Sequence, residues 1–157
     1  MSLTRGADRS LHIGYRLQVD MEQLRLPAIV TSPGRADELW RHSCFEVFVA
    51  GSRSPAYREF NFAPSGEWAA YAFTAYRAGM RPLTLASAPV SDWRRSPGQL
   101  ELAVTLPPDA LIADGSAPRI ALSAVIEEQS GTITHWALCH PASQPDFHHP
   151  DSFALEL

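Results

Sequence analysis

The sequence predicts an all-β domain in which two antiparallel sheets pack together, with no helix longer than a turn or two. Hydrophobic and polar residues alternate with a period of two through most of the chain, as they do along half-buried strands. No long segment shows the period of an amphipathic helix. The 13 prolines and 9 glycines fall mostly between the alternating runs. Many short strands separated by such breakers are typical of a sandwich or a barrel.

The alternating runs place the predicted strands along the chain. The first run, from Leu11 to Val19, has a large apolar residue at nearly every odd position. In the next run, Phe45, Val47 and Val49 form one face, and Cys44, Glu46 and Phe48 form the other. Further strands are predicted at residues 57–62 and 68–73, which flank a turn, and at 100–106, 120–126, 132–138 and 152–157. Residues 107–112 begin with two prolines and are compatible with one helical turn.

Length, composition and charge limit the classes of function. The 157 residues, 45% of them hydrophobic, form a single predicted domain (residues 1–157) with a core of its own. A net charge of -4 argues against non-specific binding of nucleic acid, because phosphate neutralisation requires a basic surface. No segment has the length of a membrane span, and no secretory leader is visible at residues 1–8. We therefore expect a cytoplasmic protein with Cys44 and Cys139 reduced.

A predicted hairpin supplies the first candidate binding site. The turn at residues 63–66, Ala-Pro-Ser-Gly, suits type I geometry, and a regular hairpin would place Asn61 opposite Trp68 and Glu59 opposite Ala70. One face would then carry Glu59, Asn61 and Trp68 beside small alanines, with Glu46 added from the neighbouring strand. Acid, amide and indole groups are suited to hydroxyl-rich ligands, so this face is a predicted trough for a small ligand. The alternatives are an ordinary solvent-facing sheet surface, or a structural pairing of Glu46 and Glu59 with an arginine such as Arg77.

Two further tryptophans are candidate binding residues. Trp40 precedes Arg41 and His42 at the mouth of a strand, and Trp93 lies in what is predicted to be a polar loop. An exposed loop tryptophan is either a binding residue or a plug over the core.

The sequence supports metal binding and catalysis less strongly than it supports the binding of a small ligand. Histidine and aspartate cluster near the C-terminus, where Asp146, His148, His149 and Asp151 offer nitrogen and oxygen ligands in a spacing that matches no strong metal signature. The alternative is a loop in which these side chains bond to backbone groups. No nucleotide-binding loop is present, and adjacent His42 and Ser43 would point to opposite faces of a strand. We predict no catalytic site, although Glu46 and Glu59 are candidate paired carboxylates if they lie at a suitable separation.

Three segments carry a resemblance to a known superfamily. Residues 38–48 (ELWRHSCFEVF), 57–68 (YREFNFAPSGEW) and 145–157 (PDFHHPDSFALEL) resemble the DOMON-like superfamily, near the family 9 carbohydrate-binding modules. The resemblance implies an antiparallel β-sandwich of about ten strands whose ligands are sugars or haem. Family 9 modules hold sugar between two tryptophans. Haem-binding relatives use a methionine and a histidine as axial ligands, and Met80 is the methionine placed for that role.

These observations together predict a non-catalytic module that binds a small molecule, most consistently a carbohydrate or a sugar derivative. The predicted ligand-binding residues are Glu46, Glu59, Asn61, Trp68, Trp40 and Trp93. No cofactor is expected, with haem and a divalent metal as alternatives, and neither nucleic acid nor a membrane is an expected partner. The remaining alternative is a structural or protein-interaction sandwich without a small ligand.

Overall fold

The computed structural model describes all 157 residues and contains 11 β-strands in two antiparallel sheets. In chain order the strands are β1 (Ser2–Arg5), β2 (Leu11–Gln18), β3 (Cys44–Ala50), β4 (Tyr57–Phe62), β5 (Trp68–Phe73), β6 (Arg81–Pro82), β7 (Val90–Ser96), β8 (Gln99–Leu106), β9 (Arg119–Glu127), β10 (Ile133–Ala137) and β11 (Leu155–Glu156). One sheet has the order β1-β2-β8-β7. The other has the order β10-β9-β3-β4-β5-β6, with β11 also pairing with β9. The predicted all-β sandwich is confirmed.

Helical structure is limited to three short 3-10 turns at Leu39–Arg41, Pro108–Ala110 and Pro150–Ser152. The second turn lies within the segment predicted to form one helical turn. None of these turns has the length or hydropathy of a membrane-spanning helix.

The main core lies between the two sheets. The inward residues of β2 and β8, such as Leu11, Leu102 and Leu106, meet Val47 and Phe60 from the larger sheet. A buried phenol also ties the sheets together, because the hydroxyl of Tyr15 on β2 donates a 2.7 Å hydrogen bond to the backbone carbonyl of Glu46 on β3. The larger sheet is covered on its outer face as well, where a second apolar cluster is centred on Phe48, Tyr57 and Phe73. A sheet buried on both faces explains why every residue of β3 is buried.

The register of the β4–β5 hairpin differs from the predicted one by a single residue. Phe62 pairs with Trp68 and Glu59 pairs with Tyr71, whereas the sequence prediction paired Asn61 with Trp68. The backbone N–H of Gly66 donates to Ala63, as in the predicted type I turn, but Gly66 has a φ of 94° and Ala63 pairs with Glu67. This is the three-residue hairpin loop in which a left-handed residue follows the turn. Because side chains alternate between faces, the extra residue moves every side chain of β5 to the opposite face from the predicted one.

Two other predictions of secondary structure were wrong in part. The polar loop predicted around Trp93 is instead the edge strand β7, which has few apolar residues because only its inward positions are covered. The last predicted strand, residues 152–157, contains only the two residues Leu155–Glu156 as strand, preceded by the 3-10 turn at Pro150–Ser152.

The hairpin register gives a testable prediction about Gly66. We expect Gly66→Ala to lower the free energy of unfolding by about 1–2 kcal/mol, because an L-residue is strained in the left-handed region. The added Cβ would also lie 3.1 Å from Pro33. Gly34→Ala is the matched control, since this glycine has an ordinary φ and an added Cβ there meets nothing within 4 Å. Urea unfolding of both variants measures the difference, and equal stabilities would contradict the assigned turn.

Candidate functional site

The outer face of the seven-stranded sheet carries buried polar side chains beneath a cavity of about 370 Å³. Glu46 on β3 lies directly opposite Asn61 on β4 and opposite Ser123 on β9. Glu59 lies two residues before Asn61 and shares its face. The residues that line the cavity are Trp40, Glu46, Glu59, Phe73, Arg77, Met80, Val125, His135, Pro145, Phe147 and His148. Two carboxyl groups therefore face a concave, mixed aromatic and polar space of a size that is ordinary for small-ligand sites.

Glu46 is 3% exposed, and its one hydrogen-bond donor is Ser123, whose hydroxyl lies 3.0 Å from Oε2. Burial raises the pKa of Glu46 to about 8, and the nearby Glu59 acts in the same direction. The hydrogen bond from Ser123 opposes the shift. At neutral pH this carboxyl is mainly protonated, so it offers a ligand an O–H donor as well as an acceptor.

Glu59 is 5% exposed and accepts a 2.7 Å hydrogen bond from Nδ2 of Asn61 at Oε1. Burial raises the pKa of Glu59 to about 7, while the bond from Asn61 and the charge of Arg77 oppose the rise. The other amide atom of Asn61, Oδ1, is buried and has no hydrogen-bond partner. Buried polar atoms in native proteins nearly always have a partner, so this oxygen is an unsatisfied acceptor beside the two carboxyls.

The C-terminal segment covers one side of the cavity. Nδ1 of His148 lies 2.7 Å from the hydroxyl of Tyr57, which itself accepts the backbone N–H of Arg77. The other ring nitrogen of His148, Nε2, lies 3.9 Å from Oε2 of Glu59. Burial, together with the charge of Arg77, lowers the pKa of His148 to about 4 against the opposing charge of Asp146, so the ring is neutral at pH 7.

An aromatic wall also borders the cavity. Trp40, in the 3-10 turn Leu39–Arg41, meets Tyr71 edge to face at 5.6 Å between ring centroids. Tyr71 donates a 2.6 Å hydrogen bond to Asp37, which fixes its ring below the tryptophan. Phe73 stacks on Tyr57 at 4.6 Å and packs against the ring of His148. Packing on every side holds these rings in place before any ligand arrives.

The structure brings four of the six predicted ligand-binding residues together. Glu46, Glu59 and Trp40 line the cavity. Asn61 lies on the same face of the sheet, opposite Glu46 and two residues from Glu59, but is itself buried and does not line the cavity. Trp68 was placed on the wrong face: it packs against the core between the sheets, with Arg35 over its ring at 4.8 Å.

Trp93 also lies apart from the cavity. Its ring meets Phe45 edge to face inside the sandwich, 5.3 Å between centroids, because β7 directs this position inward. The structural pairing of the acids with Arg77 is not formed either, since Arg77 donates to Asp146 at 2.8 Å.

Sequence analysis missed Phe73 and Phe147 as site residues. The assumed register put Phe73 on the core face. Phe147 lies next to His148 in the C-terminal run, which was considered only as a metal site, although a phenylalanine inside a polar loop already suggested packing against the sheet.

The C-terminal histidines and aspartates do not assemble into one cluster. Asp146 accepts hydrogen bonds from Tyr76 and Arg77, and His149 accepts the backbone N–H of Asp151. No group of three histidine, cysteine, aspartate or glutamate side chains has the geometry to hold a metal ion. The bonding to backbone groups that sequence analysis named as the alternative is present in this segment.

Comparison with known proteins identifies the fold. No protein-family model and no curated protein sequence matches the chain. Among solved structures, the chain is similar to a protein of Bacteroides uniformis ATCC 8492 described as a "putative carbohydrate-binding protein", with a TM-score of 0.58 and 18% sequence identity. The match covers 90% of this chain and 69% of that one. At this identity the likeness shows a shared sandwich fold, and the resemblance to DOMON-like and family 9 modules stays a prediction.

The buried carboxyls predict an unusual dependence of stability on pH. We expect the free energy of unfolding to fall by about 2 kcal/mol from pH 6.5 to pH 8. Folding raises the pKa of Glu46 to about 8 and of Glu59 to about 7 from 4.5, so the folded protein holds protons that the unfolded chain has released. Raising the pH through these values removes that stabilisation. His148, whose folded pKa is lowered from 6.5, acts in the opposite direction and mainly below this window.

Urea unfolding at several pH values measures this slope. Glu46→Gln keeps the shape of the side chain without a titrating group, so it should remove most of the slope. Glu101→Gln, on the exposed side of β8, is the control. A slope that persists in Glu46→Gln would show that the stabilisation comes from another group.

Proposed function

We propose that this protein is a non-catalytic module that binds a carbohydrate or a sugar derivative in the cavity above the seven-stranded sheet. The observation that carries the proposal is the row of Glu46, Asn61 and Glu59 beneath an aromatic wall. Hydroxyl groups donate to carboxyl and amide oxygens and accept from protonated carboxyls, while aromatic rings pack on the C–H faces of a sugar. The shared fold with a protein described as a "putative carbohydrate-binding protein" supports the same class of ligand.

The volume of the cavity and the position of the carboxyls at its floor favour a small ligand or the terminal sugar of an oligosaccharide. A volume of about 370 Å³ lies near the lower end of the range for small-molecule sites. The exposed residues Arg77, Met80 and His135 surround its entrance, and the carboxyls lie at its floor. A few hydrogen bonds and one aromatic contact give a modest affinity, on the order of micromolar to millimolar.

Haem is the second candidate, because Met80, His135 and His148 line the same cavity and methionine and histidine are known axial ligands. The residues around the cavity do not fit haem. Nδ1 of His148 is bonded to Tyr57, and its Nε2 is directed toward Glu59. An apolar porphyrin above Glu46 and Glu59 would leave one oxygen of each buried carboxyl without a hydrogen-bond partner, which is costly.

The haem candidate is checked by expression with a supply of haem. We expect no Soret band in the purified protein. A band that disappears in Met80→Ala would reverse the ranking of the two candidates.

Trp40 provides the test of carbohydrate binding. We expect Trp40→Ala to weaken the binding of a monosaccharide or disaccharide ligand by about tenfold or more, ~1.4 kcal/mol, because the wall loses its aromatic contact. Trp136→Ala is the matched control, since Trp136 is 57% exposed on β10 and does not line the cavity. Titration calorimetry with a sugar panel measures both variants. Sugars recovered unchanged after incubation would agree with a non-catalytic role, and their consumption would contradict it.

A further inference from the structure

Two carboxyl oxygens at the floor of the cavity lack hydrogen-bond donors, and a third acceptor, the buried Oδ1 of Asn61 beside them, lacks one as well. Ser123 donates to Oε2 of Glu46, and Asn61 donates to Oε1 of Glu59, which leaves the other oxygen of each carboxyl without a donor. Asn61 Oδ1 is buried and has no partner. Strand pairing places the three groups side by side, with Glu46 opposite Asn61 and Glu59 two positions along the same face. Once the carboxyls are ionised, the floor offers acceptors to a ligand that supplies donors.

The two carboxyls also lack a cation of their own. The titratable groups around them are Cys44 on β3, Tyr57 on β4, Tyr71 on β5 with its partner Asp37, His135 on β10, and Arg77, Asp146 and His148 in the segments that cover the cavity. The cysteine and tyrosines are neutral acids whose pKa values are raised by burial, and His148 is neutral. Arg77, the one permanent cation among these groups, donates to Asp146 at 2.8 Å.

A third buried acid, Glu127, shows how a buried carboxylate is paired elsewhere in this chain. Glu127 is 6% exposed at the end of β9, outside the cavity. It accepts from Arg25 at 3.0 Å and lies 2.7 Å from Nδ1 of His42, so both of its oxygens have partners. Buried carboxylates are expected to be paired in this way. Glu46 and Glu59 are equally buried, but Glu46 has no cationic partner, and the only basic side chain paired with Glu59 is the neutral ring of His148, 3.9 Å away. A cavity lies where a cation would stand.

Aromatic rings surround the two carboxyls. Trp40, Phe73 and Phe147 line the walls, and aromatic rings attract a nearby cation. Carboxylates below and aromatic rings around a cavity form a setting that favours an organic cation over a neutral group.

We propose that the ligand of this cavity carries a primary ammonium group, as an amino sugar with a free amine does, and that this group donates its three hydrogens to Glu46, Asn61 and Glu59. An ammonium has three donors and no acceptor, which matches the three free oxygens. The inference rests on the proposed function for the sugar part of the ligand and adds the charged group that selects among sugars.

Proton release is the signature of this mode of binding. Without a ligand the carboxyls hold protons at neutral pH, since the pKa of Glu46 is raised to about 8 and that of Glu59 to about 7. An ammonium beside them favours their ionised forms and lowers both values. Binding therefore expels protons, and affinity rises with pH until the amine itself loses its proton. A neutral sugar has neither effect.

The test compares ligands of matched shape on the wild-type protein by titration calorimetry at pH 7, in two buffers of different ionisation enthalpy. Glucosamine is compared with glucose and N-acetylglucosamine, and cyclohexylamine with cyclohexanol. We expect glucosamine to bind at least tenfold more tightly than either neutral sugar and to release protons to the buffer. Glu59→Gln should abolish the preference, and Glu127→Gln should retain it.

Each outcome separates the two proposals. Neutral sugars that bind as tightly as glucosamine would overturn the ammonium inference and leave carbohydrate binding in place. Cyclohexylamine that binds while no sugar does would support the ammonium site and overturn the sugar proposal. No binding by any of the five probes up to tens of millimolar would overturn both. The wild-type comparison stands even if Glu59→Gln fails to fold.

Discussion

The left-handed conformation of Gly66 determines which side chains of the central hairpin face the cavity. Strand side chains alternate between faces, so one extra residue in a turn exchanges the two faces of the strand that follows. In this register Glu59 and Asn61 share their face with Tyr71 and Phe73, and Trp68 turns toward the core between the sheets. That single turn therefore brings Tyr71 and Phe73 to the face that carries the acids and the amide.

Burial on both faces of the large sheet gives the site its chemistry. The smaller sheet covers the inner face, and the Trp40 turn and the C-terminal segment around Phe147 cover much of the outer face. Water is therefore largely excluded from Glu46 and Glu59, which raises the pKa of each. On an open sheet the same acids would be ordinary surface carboxylates with little power to discriminate among ligands. Coverage turns them into groups that exchange protons near neutral pH and respond strongly to a charge placed beside them.

The cavity is assembled from segments that are distant in the chain. Trp40 precedes β3, Phe73 ends β5, and His148 lies near the C-terminus, where its contact with Tyr57 spans 91 positions of sequence. The neutral state of His148 follows from this assembly, because burial against the aromatic rings disfavours its charged form. A ligand that enters meets rings and carboxyls already in position, which lowers the entropic cost of binding.

The sequence alone determined the fold class and the positions of most strands, because alternation over five to nine residues is a local signal of a half-buried strand. It also determined which residues of β3 share a face, with Phe45 and Val47 on one side and Glu46 on the other. It identified Glu46, Glu59 and Asn61 as candidate site residues. The tertiary structure decided the hairpin register, which depends on the backbone conformation of one glycine. Only the tertiary structure decided what covers the polar face, because the cover comes from segments far away in sequence, and no local pattern specifies which distant chain will exclude water from a carboxyl group.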